Sequence, residues 1–351
     1  MKEIVIAAYA RSPFTFARKG ALCRVRPDEL AAQVLHGLLE RSGADPADLE
    51  DLLLGCAFPE GEQGLNLARL VGFLAELPLT VAGATINRFC GSSMQALHSA
   101  AGAIALGAGR AYLCAGVESM TRVPMTGFNP LPHPGLYARY PQAYMAMGET
   151  AERVADKYAV SREAQEAFAV TSHARAAAAR SAGRFVDEIV PIGAGELQVE
   201  EDGCIRPETS AAALAELAPA FRADGSVTAG TASPLTDGAS ATLVCSADYA
   251  RERGLRPLAK IRSFAVAGCA PELMGIGPVL ATRKALERAG IGVADLGAVE
   301  LNEAFAAQAL ACIDQLELDP ATVNLDGGAI ALGHPLGATG ARITGKAAAL
   351  L

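Results

Sequence analysis

The sequence predicts an α/β protein made of two duplicated lobes with a loop domain inserted between them. Three observations carry that prediction: an internal repeat, a composition suited to helices layered on a parallel sheet, and an irregular excursion between the two copies. The repeat is the strongest. "LLERSGADPADLEDLLLGCAF" begins at Leu38 and "ALERAGIGVADLGAVELNEAF" at Ala285, and they align without a gap at an offset of 247 (285 − 38). Leu39, Glu40, Arg41 and Gly43 recur as Leu286, Glu287, Arg288 and Gly290, and Ala57-Phe58 recurs as Ala304-Phe305. Each copy reads as a helix ending at a glycine C-cap, a short turn and an apolar strand.

Composition agrees. Of the 351 residues, 51% are hydrophobic but only 5% aromatic, with no tryptophan and 36 glycines. A core built from Ala, Val, Leu and Ile, with glycines allowing backbones to approach, suits stacked α/β layers. The lobes are predicted at 1–120, completed by about 236–254, and at 255–351, with a loop domain at 121–235. That domain opens with "MTRVPMTGFNPLPHPGLYARYPQAYMAMGETAE", dense in Pro, Gly and aromatics, and continues into a helix beginning "SREAQEAF".

Several function classes are disfavoured. A net charge of −8 without a long basic stretch argues against nucleic-acid binding. "MKEIVIAAYA" reads as a first strand rather than a signal peptide, and no apolar run reaches membrane-spanning length. Eight scattered cysteines without a C-x-x-C predict reduced thiols, a cytoplasmic location and no metal site. "GARITGKA", from Gly340, resembles a P-loop but ends in Ala where a hydroxyl is needed for magnesium.

Three stretches carry chemistry. In "NRFCGSSMQAL", from Asn87, Cys90 sits where a β-type run gives way to a helix, and unpaired N–H groups and the helix dipole there favour a thiolate. The bland alternative is a small buried apolar residue. In "NLDGGAIALGHPLGATGAR", from Asn324, five glycines and a proline bracket His334 just before a helix. Glycines let a bulky ligand approach the main chain, and a histidine there can move a proton. In "ELNEAF", from Glu300, an Asn-Glu pair ends an apolar strand where the duplicate has Gly55-Cys56, and an Asn amide there can serve an oxyanion.

Taken with "GVESM", "MGETAE" and "VTAGTASPLTDGAS", these stretches resemble the thiolase family, in the family's order and over nearly the whole chain. The resemblance implies a duplicated five-layered α/β/α/β/α fold with an inserted loop domain. It implies an acyltransferase that cleaves 3-ketoacyl-CoA with CoA to acetyl-CoA and a shortened acyl-CoA, with coenzyme A as co-substrate and no prosthetic group. Cys90 matches the nucleophile that carries the acyl group, and His334 matches the histidine that activates it and helps hold the thioester oxygen. Asn302 matches the residue that positions an oxyanion-hole water. Ser233 and Arg206 match contacts to the pantetheine and adenine ends of CoA, and Met147, Met274 and Phe305 resemble apolar liners of the acyl site. A homodimer or homotetramer, with membership of a β-oxidation complex as an option, follows from the same likeness.

Two departures qualify the match. Short-chain biosynthetic thiolases carry a histidine before the Met-Gly of "MGETAE", where this chain has Ala146, which leans toward the degradative branch of fatty-acid β-oxidation. Thiolases also carry a second catalytic cysteine in a C-x-G-G-G-like segment, expected one strand beyond the helix that follows His334. None of Cys204, Cys245, Cys269 or Cys312 has that context, and the second copy ends at the helix "GARITGKAAALL", two strands short of the first. The C-terminal lobe is therefore expected to be truncated. Three readings stand: a degradative thiolase, a biosynthetic acetoacetyl-CoA thiolase, or a catalytically silent acyl-CoA-binding protein.

Overall fold

The computed structural model describes residues 2–351. In the N-terminal lobe, strands β1 (Ile4–Arg11), β2 (Thr15–Phe16), β3 (Asp51–Gly55), β4 (Ala82–Ile86) and β5 (Ala111–Ser119) alternate with helices α1 (Pro27–Ser42), α2 (Leu67–Leu74) and α3 (Ser92–Leu106). The excursion that follows contains α4 (Pro134–Arg139), α5 (Met147–Lys157), α6 (Arg162–Ser181), a hairpin of β6 (Ile192–Ala194) and β7 (Leu197–Val199), and α7 (Ala211–Ala215). The stretch read as irregular thus carries one short helix and the start of α5. Beyond it come β8 (Thr236–Ser246), α8 (Ala247–Glu252), β9 (Ala259–Lys260), α9 (Gly277–Ala289), α10 (Ala306–Leu316), α11 (Ala329–Leu332) and α12 (Leu336–Ala349).

One seven-stranded sheet runs in the order β4-β3-β5-β8-β1-β9, with β2 paired to the start of β8. It is mixed rather than wholly parallel. β3 runs parallel to β4 and β5, whereas β8 is antiparallel to both β5 and β1. The excursion leaves β5 at Ser119 and returns at Asp237, which are register partners, so β8 must run back the way β5 came. β5 and β8 are buried along their whole length, as small apolar strands covered on both faces are.

The helices form layers around this sheet. α1 opens with Pro27, Asp28 and Glu29 and closes at Gly43 in the left-handed region (φ 67°), and its Leu30, Val34, Leu35 and Leu38 pack on one face. α3 and α12 cover the other face, where Ala96, Leu97, Ala100 and Ile104 meet Ala341 and Ala348. Beyond them lies the rest of the second copy. His98 of α3 stacks on Phe264 (ring centroids 4.5 Å apart), and Arg342 of α12 pairs with Glu300 at 3.1 Å. α9 and α10 then close the far side around Val279, Leu301, Ile313 and Val323.

The duplication is visible in detail. The glycine cap Gly43 returns as Gly290 (φ 68°), and the 3-10 turn Pro46–Asp48 returns as Val293–Asp295. The parallel pairing of β3 with β4 returns as a single bridge between Val299 and Val323. Among the described residues, the second copy's β9 pairs with β1 of the first sheet, and no ladder links the second copy's strand places to each other beyond that bridge. Sheet order explains this. β5 and β8 separate β3 from β1, so the second-copy segments equivalent to β3 and β1 cannot bond to each other directly. Among the described residues no helix is long and apolar enough to cross a membrane.

Candidate active site

Cys90 lies on the tight turn joining β4 to α3. Asn87 Oδ1 accepts from the Phe89 N–H at 2.8 Å, Ser92 Oγ accepts from the Arg88 N–H at 2.9 Å, and the Ser92 hydroxyl donates to the Phe89 carbonyl at 2.6 Å. These bonds hold Phe89 at φ 46°, a strained setting for an aromatic residue and a mark of a constrained functional turn. The Cys90 side chain packs among Ala57, Met120 and Leu336. Leu336 begins α12, two residues after His334, and α12 packs directly against the Cys90 turn.

His334 is buried, with 4% of its surface exposed. Three contacts fix it. Its N–H donates to Thr236 Oγ1 at 3.0 Å, its Nδ1 lies 2.6 Å from Thr339 Oγ1, and its Nε2 lies 3.3 Å from Asn302 Nδ2. With Nδ1 held by Thr339, Nε2 is the nitrogen left for chemistry. Gly333, at φ 108°, turns the chain into this position, and a Cβ there would lie 2.6 Å from Thr236. Asn302 Oδ1 is buried without a partner, so that amide has hydrogen-bonding capacity in reserve.

Electrostatics reverse one expectation. The helix start suggested a depressed thiol pKa, but burial, reinforced by the Glu118 charge, pushes Cys90 up to about 12. Burial, then the Arg342 charge, pushes His334 down to about 3. In both groups desolvation is the largest cause and favours the neutral form.

The remaining predicted site residues fall into two groups. Ser233 donates from both its N–H (2.9 Å) and its hydroxyl (3.1 Å) to the Ala304 carbonyl, and Ala232 bridges to Phe305, tying this segment to the Asn302 loop. Phe305 packs edge-on against Phe221 (5.7 Å), whose ring also covers Gly148, next to Met147. Met274 precedes Gly275, which abuts Gln308, and Gln308 Nε2 donates to the Asn302 carbonyl at 3.2 Å. Arg206 stands apart from the Cys90 group. Its N–H donates to His173 Nδ1 at 3.1 Å, and its guanidinium covers Phe16 at 5.1 Å, beside a small cleft lined by Ala232 and Pro234. Of the other histidines, His133 caps α4 and His98 and His173 are packed. Among the described residues, no group of three His, Cys, Asp or Glu side chains is placed to hold a metal ion.

Thr236 and Thr339 were not singled out from the sequence. Thr339 carried one usable signal, its place five residues after His334 in the first turns of a predicted helix.

Comparison with known proteins decides the family. Residues 4–248 match the thiolase N-terminal domain and residues 255–351 the thiolase C-terminal domain. The chain belongs to the thiolase family. It is 49% identical to the 3-ketoacyl-CoA thiolase of Bacillus subtilis over 357 residues, covering 98% of this chain and 91% of that one. Human mitochondrial 3-ketoacyl-CoA thiolase in complex with CoA superposes with a TM-score of 0.92 at 35% identity, over 100% of this chain and 91% of the other. The Bacillus anthracis acetyl-CoA acetyltransferase gives the same TM-score at 40% identity, over 100% and 92%. These superpositions show the thiolase fold expected from the sequence, with the first sheet laddered and the second represented among the described residues by the Val299–Val323 bridge.

Proposed function

We propose that this thiolase cleaves 3-ketoacyl-CoA with CoA, using Cys90 as nucleophile, His334 as proton carrier and Asn302 in the oxyanion site. The observation that carries the reading is the Asn302–His334–Thr339 chain, set on the helix whose first turn packs against the Cys90 loop. Cys90 Sγ attacks the C3 ketone while its proton passes to His334 Nε2. The C2–C3 bond then breaks, leaving the acyl group on sulfur and expelling the acetyl-CoA enolate, whose carbon takes the proton held on His334. The CoA thiol gives its proton to His334 as its sulfur attacks the acyl-enzyme, the Cys90–acyl bond breaks, the shortened acyl-CoA leaves, and His334 returns the proton to Cys90. Negative charge that builds on the attacked oxygen is where donors from His334 and Asn302 act.

Ser233 and Arg206 are read as contacts to the two ends of CoA, and Met147, Met274 and Phe305 as the apolar wall of the acyl site. Ala146 in place of a polar imidazole favours longer, more apolar acyl chains and thus a place in fatty-acid β-oxidation. The domain division at 1–120, 121–235, 236–254 and 255–351 belongs to the same reading. Eight free thiols suit a reducing, cytoplasmic location. Assembly as a homodimer or larger is supported by edge strand β4, flanked by exposed Leu65, Phe73, Leu79 and Phe89.

The test is single-turnover reaction with C4 and longer 3-ketoacyl-CoAs, followed by mass mapping of the trapped acyl-enzyme. Acyl transfer to Cys90, faster with longer chains, is the expected result. Fastest reaction with the C4 substrate would favour an acetoacetyl-CoA enzyme, and binding without any acyl transfer would leave only an acyl-CoA-binding protein.

A further inference from the structure

The "GVESM" stretch has a role that the chemistry above does not use. Glu118, near the end of β5, is 1% exposed and surrounded by donors. Its Oε2 accepts from the Ala57 N–H at 2.8 Å and the Gly337 N–H at 3.0 Å. Its Oε1 accepts from Gln63 Nε2 at 2.8 Å, the Phe58 N–H at 3.2 Å and, at 3.6 Å, the Cys56 thiol. These donors come from the loop after β3, the Gly61–Gln63 turn and the first turn of α12.

Two of them lead to the reacting groups. Gly337 is three residues past His334, at the N-terminus of a 14-residue helix whose dipole favours a carboxylate there. The Ala57 carbonyl accepts from Asn87 Nδ2 at 3.0 Å, and Asn87 Oδ1 holds the Phe89 N–H, one residue before Cys90. The packing leaves no slack. A Cβ on Gly337 would lie 2.8 Å from the Gly55 carbonyl oxygen and the Cys56 backbone, and one on Gly116 would lie 2.2 Å from the Gly337 carbonyl.

We infer that Glu118 is a positioning residue that holds the His334 turn and the Cys90 turn in one fixed relation. Only a full acceptor fits. A glutamine there would aim its NH2 at donors whichever way the amide is turned, and an aspartate is too short to reach both Gly337 and Ala57. Fold stability alone does not call for the carboxylate's bonds to lead to both reacting turns. A misplacement of about 1 Å between nucleophile and base costs on the order of 100-fold in rate.

The inference rests on the reading of Cys90 and His334, and the experiment separates the two. Single-turnover acylation by a 3-ketoacyl-CoA is measured for the parent, Glu118→Gln, Asn87→Ala and the double variant, each normalised to natively folded protein by circular dichroism and thermal melting. Failure of the parent to acylate Cys90 overturns the site reading itself. Given a reactive parent, Glu118→Gln should acylate about 10- to 100-fold more slowly with acyl-CoA affinity within about twofold, since geometry is lost but the binding surface is kept. Asn87→Ala cuts the same chain at a less buried link and should slow acylation in the same way. The double variant should lose less than the product of the single losses, because both break one connection. Should Glu118→Gln fail to fold, Asn87→Ala carries the test alone. Unchanged acylation in a folded Glu118→Gln or Asn87→Ala, or a loss that tracks only the unfolded fraction, overturns the inference.

Discussion

Replacing Thr339 with valine removes one hydroxyl and little else, so it tests whether the His334 ring is held for catalysis. The two side chains have nearly the same shape, and Thr339 is 1% exposed, so core packing is kept. What is lost is the 2.6 Å contact to His334 Nδ1. That nitrogen is buried with no other hydrogen-bond partner, and leaving a buried polar group unpaired costs about 1–3 kcal/mol. The ring can recover the loss only by turning away from Asn302, 3.3 Å from Nε2. At 1.4 kcal/mol per factor of ten, kcat for thiolysis should fall about 5- to 150-fold. The assay is steady-state consumption of a 3-ketoacyl-CoA with CoA, resolved into kcat and KM. KM should stay near the parent value, and Thr339→Ser, which restores the hydroxyl, should recover most of the rate. A Thr339→Val enzyme with kcat within twofold of the parent would refute the proposed anchoring.

Because Cys90 is pushed up to about 12, its alkylation by iodoacetamide should climb about tenfold per pH unit between pH 7 and 9; a plateau inside that range would mean a preformed thiolate. His334→Ala should lower turnover by about 10²- to 10⁴-fold with near-ultraviolet circular dichroism unchanged, since the backbone bond to Thr236 survives; a mildly affected enzyme would end the proton-transfer role. Burial raises the Glu300 carboxyl from 4.5 to about 7, against the opposing pull of Arg342 and Lys346. The folded chain thus keeps that proton after the unfolded chain has released it. The associated stability is present below pH 4.5 and is lost as pH rises through about 7. Urea denaturation of Glu300→Gln should therefore show a flatter decline over that window, and an unaltered slope would refute the shift.

Much of the site was legible because its chemistry is tied to local backbone patterns. A cysteine between a small-residue strand and an Ala-rich helix, and a histidine among five glycines, each advertise a turn that must expose one side chain. The thiol's ionisation was not legible. A helix N-terminus can be read from sequence, but the desolvation of Cys90 by Ala57, Met120 and Leu336 depends on residues from three separate segments. The same limit hid Glu118, Thr236 and Thr339. A glutamate inside an apolar strand is recognisable as unusual, yet its five donors are assembled only when β3, β5 and α12 converge.

The duplication explains why the Cys90 turn and the helix that follows His334 lie against each other. Cys90 stands two residues before α3, and His334 stands two residues before α12, which is the same helix in the second copy. The two helices pack on each other at close range: the Ala341 N–H donates to Ser93 Oγ at 2.8 Å, and a Cβ on Gly340 would lie 2.2 Å from the Met94 nitrogen. Asn302 occupies the place of Gly55, 247 residues later, at the end of the second copy of β3. Each copy therefore delivers the same turn to the seam between the lobes, with Cys90 on one side and His334, the proposed proton carrier, on the other. The seam needs the α3–α12 contact and the ends of the two β3-type segments. The rest of the second sheet does not contribute the contacts of Cys90, His334 and Asn302 described above. Among the described residues the second copy contributes the Val299–Val323 bridge of its own strands, while its β9 joins the first sheet beside β1.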